Sequence, residues 1–69
     1  MEQQIVEVKS VRVDGMPVTY GRCQGNTFFV QTQTRSGLKT REVMTGRAFL
    51  RALNLHGIND PAMRAWAVL

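Results

Sequence analysis

Apolar residues favour alternate positions up to Met44 and recur at helical spacing from Thr45 onward. That change of period constrains the chain more than any motif, because 69 residues split this way leave room for one small core. The expected architecture is α+β: an antiparallel β-meander of three to four strands over residues 1–44, followed by two short C-terminal helices over 45–69. A domain of this size buries only about 60% of the surface its unfolded chain exposes, and small domains often add disulfides, a structural metal or self-association. Cys23 is the only cysteine and His56 the only histidine, so neither an intrachain disulfide nor a four-ligand zinc site is expected.

Within the strand region, I-V-E-V-K-S-V-R-V alternates with one break. Val6 and Val8 share one parity and Val11 and Val13 the other, which places a bulge near Lys9-Ser10. Asp14-Gly15 is the strongest hairpin signal. Val18 and Tyr20 continue the returning strand, with Pro17 expected to face an edge because it lacks an N–H. Gly21, Gly25 and Asn26 around Cys23 suggest the next turn, and T-F-F-V from Thr27 starts the third long strand.

The first helix has Thr45 as its N-cap and Gly57 as its C-terminal cap. Phe49, Leu50 and Leu53 form its core stripe with Ala48, Ala52 and Leu55 beside them, leaving Arg47, Arg51 and Asn54 outside. The second begins with Asp60 as N-cap and Pro61 at its first position. Ala62, Ala65, Trp66 and Leu69 share a face, while Met63, Ala67 and Val68 lie off it and Arg64 is the only charge. Two readings follow. Either Trp66 and Leu69 complete the core and Met63 and Val68 are scattered surface residues, or Met63, Trp66, Val68 and Leu69 form a partner or homodimer interface.

Between Gln31 and Glu42 the chain reads Q-T-Q-T-R-S-G-L-K-T-R-E, with Leu38 the only apolar residue. A two-residue turn at Ser36-Gly37 would pair Thr34 with Lys39, Thr32 with Arg41 and Val30 with Val43. Such a ribbon has no core face beyond Val30 and Val43, so its outer half should stand in water or against a polar partner. The chain carries a net charge of +4, which favours polyanions. Gln, Thr, Arg and Lys are side chains that read base edges or hold phosphates, and a two-stranded ribbon fits a major groove about 12 Å wide. The candidate nucleic-acid contacts are therefore Gln31, Thr32, Gln33, Thr34, Arg35, Lys39 and Arg41, assisted by Arg47 and Arg51 on the first helix. The blander alternative is a solvated ribbon whose charges discourage edge aggregation. The stretch from Phe28 to Leu53 resembles in layout the arm-type DNA-binding domains of tyrosine recombinases and their AP2-like relatives. It lacks their aromatic pattern in the ribbon and has an extra helix, so no residue roles carry over.

Nothing resembles a catalytic motif. Cys23 and His56 lack a nucleophile signature, Asp14 is explained by its turn and Asp60 by its cap, and Y-G-R-C-Q-G-N lacks phosphate-loop spacing. No cofactor is expected. The opening M-E-Q-Q-I-V-E-V-K-S carries two acids and no long apolar run, so neither a signal peptide nor a membrane anchor is expected, and a single thiol suits the cytoplasm. The expected function is a small non-enzymatic nucleic-acid-binding protein, possible as a homodimer. The alternative is a protein-interaction module or regulator docking through its apolar C-terminal helix and a sheet edge.

Overall fold

The computed structural model describes residues 4–68. Four antiparallel strands form a meander in the order β1 (Ile5–Val13), β2 (Met16–Cys23), β3 (Thr27–Gln33) and β4 (Lys39–Thr45), followed by α1 (Gly46–His56) and α2 (Pro61–Ala67). The expected α+β architecture holds, and the meander of three to four strands has four.

Both helices pack on one face of the sheet. Val18, Tyr20, Phe28 and Val30 project from the central strands onto Phe49, Leu53, Ile58 and Met63, with Val11, Val13 and Met44 at the margins. Phe28 stacks on Phe49 with ring centroids 4.7 Å apart, and Tyr20 tilts against the same ring at 6.3 Å. Phe49 and Leu53 are fully buried, as their spacing in α1 requires. Leu55 departs from its expected place beside the core stripe and is 87% exposed.

Helix α2 is held by its N-cap residue, Asp60. The Asp60 carboxylate accepts hydrogen bonds from the Met63 backbone N–H (3.1 Å), the Tyr20 hydroxyl (2.8 Å) and Lys9 Nζ (2.9 Å). One side chain thus caps α2 and ties it to both β1 and β2. The α1 end is closed by Gly57 at φ 68°, whose N–H donates to Asn54, while Ile58 N–H reaches back to Leu53. Thr45 occupies the N-cap position of α1, but its side chain makes no capping hydrogen bond.

Helix α2 turns a different face inward from that suggested by its sequence. Met63 is 1% exposed and Ala67 packs against the core, whereas Ala62 and Ala65 are exposed and Trp66 is 45% exposed. Asp60 fixes the start of the helix and with it the rotation. Gly46 lets the backbone of Ala67 approach α1 more closely than any side chain would permit. Met63 is therefore unavailable to a partner interface, and Trp66 does not complete the core. Leu69 lies outside the described residues.

The strands carry further corrections. The bulge falls between Ile5 and Glu7 rather than near Lys9-Ser10. Val8 is consequently on the face away from the helices, opposite Gly21, while Val11 and Val13 face inward. The Asp14-Gly15 turn forms as expected, with both residues at positive φ and Val13 paired with Met16. Pro17 sits beyond the last β2–β3 pair, Val18 with Thr32, so its missing N–H leaves no ladder bond unmade there. Gly21 belongs to β2 rather than to the turn, which comprises Gln24, Gly25 and Asn26. A methyl group on Gly21 would meet the Glu7 carbonyl oxygen and come within 2.9 Å of the Phe29 ring.

Gly21→Ala is therefore expected to destabilise the fold by about 2 kcal/mol or more, read as a drop in urea midpoint at unchanged m. Burial disfavours the charged Asp60, but its Lys9, Tyr20 and Met63 donors outweigh this and hold the carboxyl below its ordinary range. Such a group contributes stability that is present above the unfolded carboxyl pKa and lost as pH falls through the folded one. Burial and the bond to Asp60 push Tyr20 up to about 12, so its contribution is complete below the unfolded value of 10.0 and fades as pH rises toward 12. Urea midpoints should hold between about pH 5 and 9 and decline outside those limits, with the acid decline blunted in Asp60→Asn.

Candidate nucleic-acid interface

The β3–β4 ribbon forms in a register one residue away from the two-residue turn. Gln33 pairs with Lys39, Thr32 with Thr40, Gln31 with Arg41, Val30 with Glu42 and Phe28 with Met44. The loop is Thr34 to Leu38, set by Thr34 rather than by Ser36-Gly37 alone. Thr34 N–H donates to the Leu38 carbonyl (2.9 Å), Leu38 N–H donates to Thr34 Oγ1 (3.1 Å), and the Thr34 and Ser36 hydroxyls lie 2.9 Å apart. Gly37 takes the positive φ of 93° that closes the loop. From Gln31 to Val43 the ribbon contributes no buried residue, as its lack of an apolar face requires.

A one-residue slip changes which side chains share a face. Lys39 and Arg41 stand with Gln31 and Gln33 on the side away from the helices, not with Thr32 and Thr34. Arg41 Nε donates to Gln31 Oε1 at 3.1 Å, and its guanidinium lies 4.8 Å from the centre of the Phe29 ring. Phe29 is 1% exposed although it points away from the helices, because Gly21 leaves room for its ring and Arg41 covers it.

The pairing continues this polar face across all four strands. Ser10 is opposite Thr19, Thr19 opposite Gln31, and Gln31 opposite Arg41. Arg12, Gln33 and Lys39 lie one step further along the same face, Arg12 also donating to the Gly15 carbonyl at 3.1 Å. The next row in the other direction is Val8, Gly21, Phe29 and Val43, so the open face is polar and basic toward the ribbon loop and apolar toward the far end. The parity of Val11 and Val13 in the sequence carried the signal for Ser10 and Arg12, but the bulge assigned near Lys9-Ser10 obscured it.

Charge is segregated between the two faces. Glu7 pairs with Arg22 (3.4 Å) and lies 3.9 Å from Lys9, Asp60 pairs with Lys9, and Glu42 borders α1 beside Met44 and Leu55. All three carboxylates sit on the helix side, and Asp14 is in the first turn. Among the described residues, the open face has Arg12, Lys39 and Arg41 and no carboxylate, with Arg35 exposed in the adjoining loop.

The remaining candidates are separated from this cluster. Thr32 faces the helix side with Thr40, Thr34 is engaged in the loop, and Arg47 and Arg51 are exposed on α1, across the sheet from Lys39 and Arg41. Arg22 lies 3.9 Å over the Trp66 ring, and Val68 is 69% exposed. Cys23 is buried on the open face, whereas His56 ends α1 on the other, so the sheet separates them. No group of three metal-ligating side chains occurs among the described residues, and no described helix is long and apolar enough to cross a membrane. No protein-family model, curated protein or solved structure matches the chain.

Thr34→Val keeps the shape of the side chain but removes the oxygen that accepts from Leu38 and meets Ser36. Amide exchange at Leu38 should accelerate several-fold while exchange at the core strands is unchanged, with a stability loss of about 0.5–1 kcal/mol.

Proposed function

We propose that this protein binds nucleic acid, without catalysis, through the polar end of its open sheet face, the β3–β4 ribbon leading. The observation that carries the reading is charge segregation. Arg12, Lys39 and Arg41 share with Ser10, Thr19, Gln31 and Gln33 a four-stranded surface that bears no carboxylate among the described residues. In this reading Arg12, Arg35, Lys39 and Arg41 contact phosphates, and Gln31 and Gln33 are placed to reach base edges. Arg47 and Arg51 are secondary, because a polyanion would have to pass around β4 to reach them. Thr32 and Thr34 leave the contact set. A single buried thiol, Cys23, accords with a reducing compartment such as the cytoplasm.

A second reading, a protein-interaction module or small homodimer, is supported by Trp66 exposed on the short α2 and Val68 exposed at its C-cap. It uses the opposite face from the first, so substitutions separate the two.

Binding to short duplexes should fall steeply with salt, with a log–log slope of about −3 for three or four phosphate contacts. The Arg35→Ala/Lys39→Ala/Arg41→Ala triple variant should shorten that slope by about 2 or more, whereas Arg47→Ala/Arg51→Ala should change it by less than about 1. Absence of binding at low salt, or a slope indifferent to the triple variant, removes this reading. Loss of self-association or of a protein partner on Trp66→Ala would support the second.

A further inference from the structure

We propose that the open edge of β4, with the trough between β4 and α1, binds an extended peptide by strand addition. The peptide it fits alternates apolar and acidic residues. β4 is the last strand of the sheet, so one side of its backbone has no strand beside it. The Thr34 N–H to Leu38 carbonyl bond fixes which residues those are. Antiparallel pairs alternate between hydrogen-bonded and non-bonded, so Thr40, Glu42 and Met44 bond to β3, and the N–H and C=O groups of Lys39, Arg41 and Val43 point outward.

Beside this edge runs a trough on the helix side. Two adjoining cavities, of about 180 and 350 Å³, share Glu42, Met44, Ala52 and Leu55 as walls; Ala48 adds to the apolar part of the floor, and Arg51 also lines the larger cavity. Leu55, which the core leaves 87% exposed, forms its rim. A strand added to β4 would direct every second side chain over this floor and the intervening ones toward the open face, beside Lys39 and Arg41. Apolar residues suit the first set. Carboxylates suit the second, since opposite charges on neighbouring strands are mutually stabilising and like charges are not. The same charges disfavour a second copy of β4 at this edge, because it would bring its own Lys39 and Arg41 to that face.

The test uses the full chain and a fluorescein-labelled octapeptide of alternating Val and Glu, with an alternating Val and Lys peptide as comparison. The expected result is saturable binding of the acidic peptide, at least about ten-fold weaker for the basic one, with slowed amide exchange at Lys39, Arg41 and Val43. Val43→Pro removes an outward N–H that β3 does not use, and Leu55→Glu charges an already exposed rim. Each should weaken binding about ten-fold while the circular dichroism spectrum is retained. Leu55→Glu keeps the proposal falsifiable if the proline variant fails to fold. Equal affinity for the two peptides, no saturation by about 1 mM, or binding indifferent to Leu55→Glu would overturn it. So would edge amides already protected without peptide in a species of doubled mass, which would assign the edge to a second copy.

Discussion

The structure hangs on Asp60. A sheet and two helices of seven and eleven residues share few contacts to hold their relative placement, and the short α2 could not persist alone. Asp60 supplies three connections at once, to its own helix through Met63, to β2 through Tyr20 and to β1 through Lys9. The tyrosine it accepts from also lies against Phe49 of α1, so the polar link and the aromatic core are adjacent. A carboxylate in that position is costly to desolvate unless its donors are in place, which makes the connection strongly dependent on all three. The rotation of α2, and hence the burial of Met63 in preference to Trp66, follows from it.

With the helices committed to one face, the other face must be stable in water without a covering layer. It manages this by setting Phe29 beside Gly21, which has no side chain to meet the ring, and by placing the Arg41 guanidinium 4.8 Å from the ring centre. The arrangement explains why T-F-F-V is buried over three successive positions, which simple alternation does not allow. It also sets the Arg41 guanidinium between the Gln31 side chain, to which it donates, and the Phe29 ring. A fixed guanidinium loses less conformational entropy on meeting a phosphate than a mobile one.

Long-period features of the fold were legible in the sequence, and features set by one residue's hydrogen bonds were not. The change of period at Met44, the Asp14-Gly15 turn, and the caps at Asp60 and Gly57 depend on local backbone chemistry and could be read directly. The ribbon register was missed because Ser36-Gly37 resembles a two-residue turn. The competing signal, a Thr34 hydroxyl satisfying the Leu38 N–H, exists only once the loop is closed. The parity break does not mark the bulge, because Val8 faces away from the helices, opposite Gly21, while Val11 and Val13 face them. In α2 the apolar residues nearly encircle the helix, so hydrophobic spacing did not select a face and Asp60 did. For the candidate site, Gln31, Gln33, Lys39 and Arg41 were identified from composition, but their common face depended on the register.

The corrected register gives Lys39 and Arg41 two exposed aspects. Their side chains join the polar face, while their backbone groups form part of the open edge of β4. A polyanion on the face and an acidic strand on the edge would both draw on the same two positive charges. Their backbone positions are about 7 Å apart along one strand, so two cations on the same face lie close enough, against a Debye length of about 8–10 Å, to act as one patch. Neutralising them from the edge would lower the field that attracts phosphates to the face. The two proposed surfaces are thus electrostatically antagonistic without any change of shape.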